Sequence, residues 1–131
     1  MKTNKPVSPY FDKDNNFIGA RVKALEEDFV IMAHNFKGGK YMTWQETMDA
    51  LKEKGFTTWN MRQISLTIYY RDEIDAVLTE YGGDPLNRWY WTAAEYSANY
   101  AFYYYGYNGG LIYNVKNSTF SSRALLALTE S

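Results

Sequence analysis

Between Tyr96 and Val115 the chain carries no charged residue, and this stretch limits its fold more than any other. It is crowded with Tyr96, Asn99, Tyr100, Tyr103, Tyr104, Tyr105, Tyr107, Asn108, Gly109, Gly110, Tyr113 and Asn114. The stretch is long enough to span a bilayer, but it is too rich in amide and phenol groups for lipid. A sealed core suits it little better, because each buried phenol hydroxyl must find a hydrogen-bond partner. A recognition surface uses many such rings. Tyr offers a large, stiff contact area with two χ angles to freeze, and Asn, Ser and Gly adapt around it. The stretch therefore predicts a binding surface carried on a sheet.

The rest of the chain supplies the scaffold. Its 131 residues suit one domain, with residues 1–8 as a loose lead-in and 9–131 as the folded unit. Cys is absent, which excludes a disulfide framework, a thiol nucleophile and Cys-ligated zinc. Fourteen basic residues against fifteen acidic ones, with no Lys/Arg stripe, argue against a nucleic-acid partner. The N-terminal Met1-Lys2-Thr3-Asn4-Lys5-Pro6 has no apolar run behind it and does not read as a signal peptide. The expectation is a protein that does not insert in a membrane. It would be cytoplasmic or part of a virion, with surface display if a leader has been removed.

Local signals divide the chain. Tyr10-Phe11, the Asp12–Asn16 segment and Phe17–Val22 read as strand, turn and strand. Asp12, Asp14 and Asn16 alternate like the start of a calcium loop, but Phe17 stands where such a loop needs Gly, so the segment reads as a turn. Glu26-Glu27-Asp28 reads as a solvated turn, and Phe29–Ala33 as a buried strand. His34 is the lone His and has no nucleophile context beside it. Thr43 and Glu46 form a capping box, Trp44, Met48 and Leu51 give the helix that follows an apolar face, and Gly55 stops it. Phe56–Met61 reads as an extended connection. A second helix is expected after Ser65, with Tyr70, Ile74, Val77, Leu78 and Tyr81 on its face.

Trp89-Tyr90-Trp91 opens the last third. Ala101–Tyr107 and Leu111–Lys116 read as a hairpin closed by Asn108-Gly109-Gly110, with Phe120–Leu128 as a final strand. Strands, two helices and an antiparallel meander make an α+β chain with segregated helices.

Several motifs then resemble one family. Trp44 opening a helix that ends at Gly55, Trp59–Ser65 before a second helix, Tyr90-Trp91-Thr92-Ala93-Ala94-Glu95-Tyr96, Asn99–Tyr103, Asn108-Gly109 and Ser122–Leu125 follow one another as in the Lcl C-terminal domain and major paralogous domain families. Met61–Ser65 replaces an Arg-Leu-Pro-Thr pattern, and Ala124 replaces a Pro. The resemblance implies a C-type-lectin-like fold, with two helices packed on a twisted antiparallel β-sheet and the terminal strands close together. The Cys residues of the enzyme branch of that fold group are missing, and so are the loop motifs of its calcium-dependent lectins. The Tyr/Asn/Ser block is similar to the displayed strands of variable proteins of diversity-generating retroelements, such as the phage major tropism determinant.

The first functional expectation is a non-catalytic module, on a phage tail tip or a cell-surface adhesin, that binds a protein or glycan ligand without metal or cofactor. Its candidate ligand-binding residues are Tyr96, Asn99, Tyr100, Tyr103, Tyr105, Tyr107, Asn108, Asn114 and Asn117. If Phe102 and Tyr104 face the core, alternation turns Tyr103 and Tyr105 outward. The second expectation is a structural domain that self-associates as a homo-oligomer. The third is an enzyme in which Glu95, its pKa raised by surrounding rings, acts as the acid.

Overall fold

A computed structural model describes residues 5–128. The expected lead-in is shorter than eight residues: β1 already begins at Val7, and residues 1–4 lie outside the described ones. The strands are β1 (Val7–Phe11), β2 (Phe17–Ala24), β3 (Glu27–Met32), β4 (Trp89–Glu95), β5 (Tyr100–Tyr105), β6 (Gly110–Val115) and β7 (Leu125–Ala127). The helices are α1 (Trp44–Glu53), α2 (Met61–Tyr69) and α3 (Arg71–Glu80). The chain is α+β, with three helices and two antiparallel sheets where two helices and one sheet were expected. One sheet has the order β1-β2-β3-β7 and the other β4-β5-β6. No helix among the described residues is long and apolar enough to cross a membrane.

Side-chain chemistry fixes the ends of these elements. The Asp12 carboxylate accepts the backbone N–H groups of Asp14 and Asn16, which makes the β1–β2 connection an Asx-type turn. The β2–β3 turn sits at Leu25 and Glu26, one step before the expected acidic turn. Asp28 instead lies in β3, where the guanidinium of Arg21 holds it at 2.8 and 2.7 Å and lowers its pKa.

The Thr43/Glu46 capping box of α1 is present as expected. A second box was overlooked in the sequence. The Asn60 side chain accepts from Gln63 N–H while the Gln63 side chain accepts from Asn60 N–H, so α2 starts at Met61 and not after Ser65. The long helix expected from Ser65 onward is divided at Tyr70, and α3 buries Ile74 and Leu78.

The main core lies between the first sheet, α2, α3 and the inner face of the second sheet. It joins Val22, Phe29 and Ile31 to Trp59, Ile64, Leu78, Tyr90 and Tyr104. A smaller core of Trp44, Trp91, Ala101 and Phe120 fills the opposite face of the second sheet. The buried indoles are satisfied: Trp59 Nε1–H donates to Thr67 Oγ1, Trp91 Nε1–H to Met42 O and Trp44 Nε1–H to Thr92 O.

The expected final strand over Phe120–Leu128 is a seam rather than a member of the meander. Phe120 bridges Met42, Ser121 bridges Tyr90, and only Leu125–Ala127 is regular strand, paired with β3. Arg123, fully buried in this seam, anchors both sheets. Its Nε donates to Met32 O at 2.8 Å, Nη2 to Ala33 O at 2.9 Å and to Asp84 O, and Nη1 to Asn35 Oδ1 at 2.9 Å. Burial lowers its pKa, while Tyr90 and Asp84 oppose that shift.

Two outcomes follow. Arg123→Met keeps most of the stem volume but strands a group of buried carbonyls. It should cost about 3 kcal/mol or more in urea unfolding, and a loss below about 1 kcal/mol would refute the anchoring role. Burial also pushes the Tyr104 phenol up to about 12 from its ordinary 10.0, and its hydroxyl has no partner among the described residues. A raised phenol pKa gives stability that is full below pH 10 and is lost as pH rises towards about 12, amounting to about 2–3 kcal/mol. Tyr104→Phe should flatten this alkaline decline and leave neutral stability equal or higher; an unchanged decline would show that the hydroxyl is not sealed.

Candidate functional site

Strand pairing sorts the late rings onto two faces. Trp89 lies opposite Tyr105, Trp91 opposite Tyr103, and Tyr103 opposite Ile112, so these share one face. On the other face Tyr90, Tyr104 and Leu111 line up over the main core, followed by Phe102 opposite Tyr113 and Tyr100 opposite Val115. The single continuous patch expected from the sequence is therefore divided.

On the inner-core face, beyond the core, an exposed cluster forms. Tyr96 and Tyr113 stack with centroids 4.0 Å apart, and Tyr100 and Phe102 meet Tyr113 edge-on at 5.9 and 6.0 Å. Tyr113 and Phe102 were not among the candidates, though alternation from Tyr100 would have placed them together.

The opposite face carries a longer run. Tyr107 meets Tyr105 at 6.0 Å, Tyr105 meets Trp89 at 5.2 Å, and Trp89 meets Phe120 at 5.7 Å. Tyr103 is half-buried and stacks on Phe120 at 4.4 Å, so its ring closes the smaller core and is not displayed like Tyr107. Trp89 is 46% exposed, Tyr41 63% and Tyr107 70%.

These rings border an open cleft of about 420 Å³, lined by Tyr41, Asn87, Arg88, Trp89, Tyr105, Tyr107, Thr119 and Phe120. Mostly apolar walls with a few polar groups are the usual make-up of a ligand site. A polar notch adjoins it through Asn87 and Arg88 and holds His34, Asn35 and Asp84. There His34 Nδ1 lies 3.3 Å from Asp84 Oδ2, and the same oxygen accepts Asn35 N–H at 3.2 Å. Burial raises the Asp84 pKa, but the contacts from Asn35 and His34 outweigh it and the net shift is downward.

Two of the candidate Asn side chains, Asn108 and Asn114, hold local backbone, while Asn99 is engaged through its backbone carbonyl. Asn108 Oδ1 accepts Gly110 N–H in the β5–β6 turn, Asn114 Oδ1 accepts Val115 N–H, and Asn99 O accepts Lys116 N–H. Asn117 is exposed beyond β6. Glu95 is 53% exposed on its side chain and ion-paired with Lys116. Arg88, Trp89 and Tyr41 were missed as site residues. The signal was present in Arg88-Trp89, a cation directly before the aromatic run, but only chain folding brings Tyr41 beside it.

A larger apolar groove, about 670 Å³, lies between the β2–β3 turn and α2, at Leu25, Met61 and Tyr69. There Arg62 donates to Leu25 O and pairs with Glu27, and Ser65 donates to Met61 O. The cleft at Trp89 is the one bordered by the exposed aromatic run.

No family model matches the chain, and no curated protein matches it in sequence.

Proposed function

We propose that this domain is a non-catalytic recognition module, in which the cleft beside Trp89 seats a protein or glycan on a cell surface. The observation that carries the reading is the aromatic run from Tyr107 through Tyr105 and Trp89 to Phe120, exposed along one wall and packed on a core beneath. Rigid, half-supported rings bind with little loss of side-chain freedom. The Tyr96/Tyr100/Tyr113 cluster provides a second contact area on the other face.

The order of motifs from Trp44 to Leu125 supports a C-type-lectin-like classification, and the Tyr/Asn-rich hairpin supports kinship with retroelement-diversified proteins of phages or cell surfaces. Self-association has one observation in its favour: β6, at the edge of its sheet, is uncharged and presents Ile112, Tyr113 and Val115 to solvent.

The test is a screen of the domain against arrays of glycans and surface proteins, repeated with the Tyr41→Ala/Tyr107→Ala double variant. The expected result is loss of the captured ligand with unfolding free energy changed by no more than about 1 kcal/mol. Ligand retention by the double variant would overturn the cleft as the site. Light scattering that shows a stable oligomer burying these rings would replace the reading with self-association.

A further inference from the structure

Arg88 lines both the aromatic cleft and the polar notch beside it. Arg62 is paired with Glu27, whereas among the described residues Arg88 has no carboxylate within ion-pairing distance. Its side chain makes one long contact, Nη1–H to Gly39 O at 3.5 Å. The guanidinium lies close against the backbone at Gly39. Gly39 adopts φ +88°, and a Cβ there would lie 2.5 Å from Arg88 Nη1, so the guanidinium rests on bare backbone that only Gly supplies. Ser121 Oγ–H donates to the same Gly39 carbonyl at 2.8 Å and fixes the platform from the other side. The cation's own backbone is also pinned, since Arg88 O accepts Gly106 N–H at 2.9 Å.

This fork, without a carboxylate partner among the described residues, stands where the aromatic cleft meets the polar notch. Among the described residues no carboxylate lines the cleft, and the nearby Asp84 lines the notch, where His34 and Asn35 engage it. An anion entering from the Trp89 side meets the guanidinium without first meeting Asp84. A guanidinium fork binds a carboxylate through two parallel N–H···O bonds, and those bonds strengthen beside low-dielectric ring walls.

We propose that the cleft selects a six-membered ring bearing a carboxylate, with the ring against Trp89 and Tyr105 and the carboxylate on Arg88. The inference rests on the recognition reading above and adds the charge of the ligand to it. The ring could be a saturated sugar acid or a flat aromatic acid, and the probes below separate the two.

The test titrates D-glucuronate, benzoate and neutral D-glucose into the domain while following the Trp89 indole N–H resonance. At least one acid should shift that resonance and bind about tenfold or more tightly than glucose, with affinity falling as salt rises. Glucuronate binding alone would identify the ring as a sugar acid, and benzoate binding alone as an aromatic acid. Arg88→Gln should weaken the acid about tenfold without altering the weak response to glucose, and Arg88→Lys should recover part of the loss. Glucose binding as tightly as the acids, or full affinity in Arg88→Gln, overturns the charge selection while the recognition reading stands. Silence from all three probes overturns the inference, and the array screen then decides the recognition reading independently.

Discussion

The Arg123 guanidinium is the contact on which the two halves of this molecule depend. It reaches the carbonyls that end β3, the Asn35 side chain and the turn at Asp84. Tyr90 of β4 donates its hydroxyl to the same Asn35 oxygen at 2.7 Å. A fully buried cation without a carboxylate in direct contact is costly unless its donors are satisfied, and here backbone and amide oxygens satisfy them. The geometry exists only when β3, the 84–85 turn, β4 and the C-terminal seam are all in place. Folding of the second sheet is thereby tied to folding of the first.

That coupling explains how a strip so rich in phenol can be ordered. The second sheet has a core on each face, one under Tyr90 and Tyr104 and one under Trp91 and Tyr103. Rings at its centre are sealed, and rings at its ends emerge into solvent as continuations of the same rows. Trp89 is supported by Phe120 and Tyr103, and Tyr105 packs edge-on against Trp89, which gives the cleft wall its stiffness. Arg88, one residue before Trp89, is carried to the cleft mouth by the same strand and settled there by Gly39.

Much of the scaffold was legible because its signals are local. The Thr43/Glu46 box, the β1–β2 hairpin and the Asn108-Gly109 turn each depend on residues a few positions apart, and each formed where expected. Apolar spacing places the start of α2 too late, because the Asn60/Gln63 cap sets it at Met61. The seam could not be read as such, since pairing of Leu125–Ala127 with β3 joins segments about a hundred residues apart in sequence. Arg123 left a faint signal, a single charge in an otherwise apolar and small run from Phe120 to Leu128. Residue type located the Tyr-rich surface. Register divided it between two faces, and register comes from the whole fold.

The central claim is that the late phenols form a sealed set and a displayed set on one pinned sheet. Timed nitration of the native domain with tetranitromethane, mapped by peptide mass spectrometry, measures this ring by ring. The account requires the exposed Tyr107 to react early, along with Tyr69 and Tyr41, and Tyr90 and Tyr104 to remain unmodified until the protein unfolds. Nitration of Tyr90 or Tyr104 as fast as Tyr107 in the folded protein would contradict it.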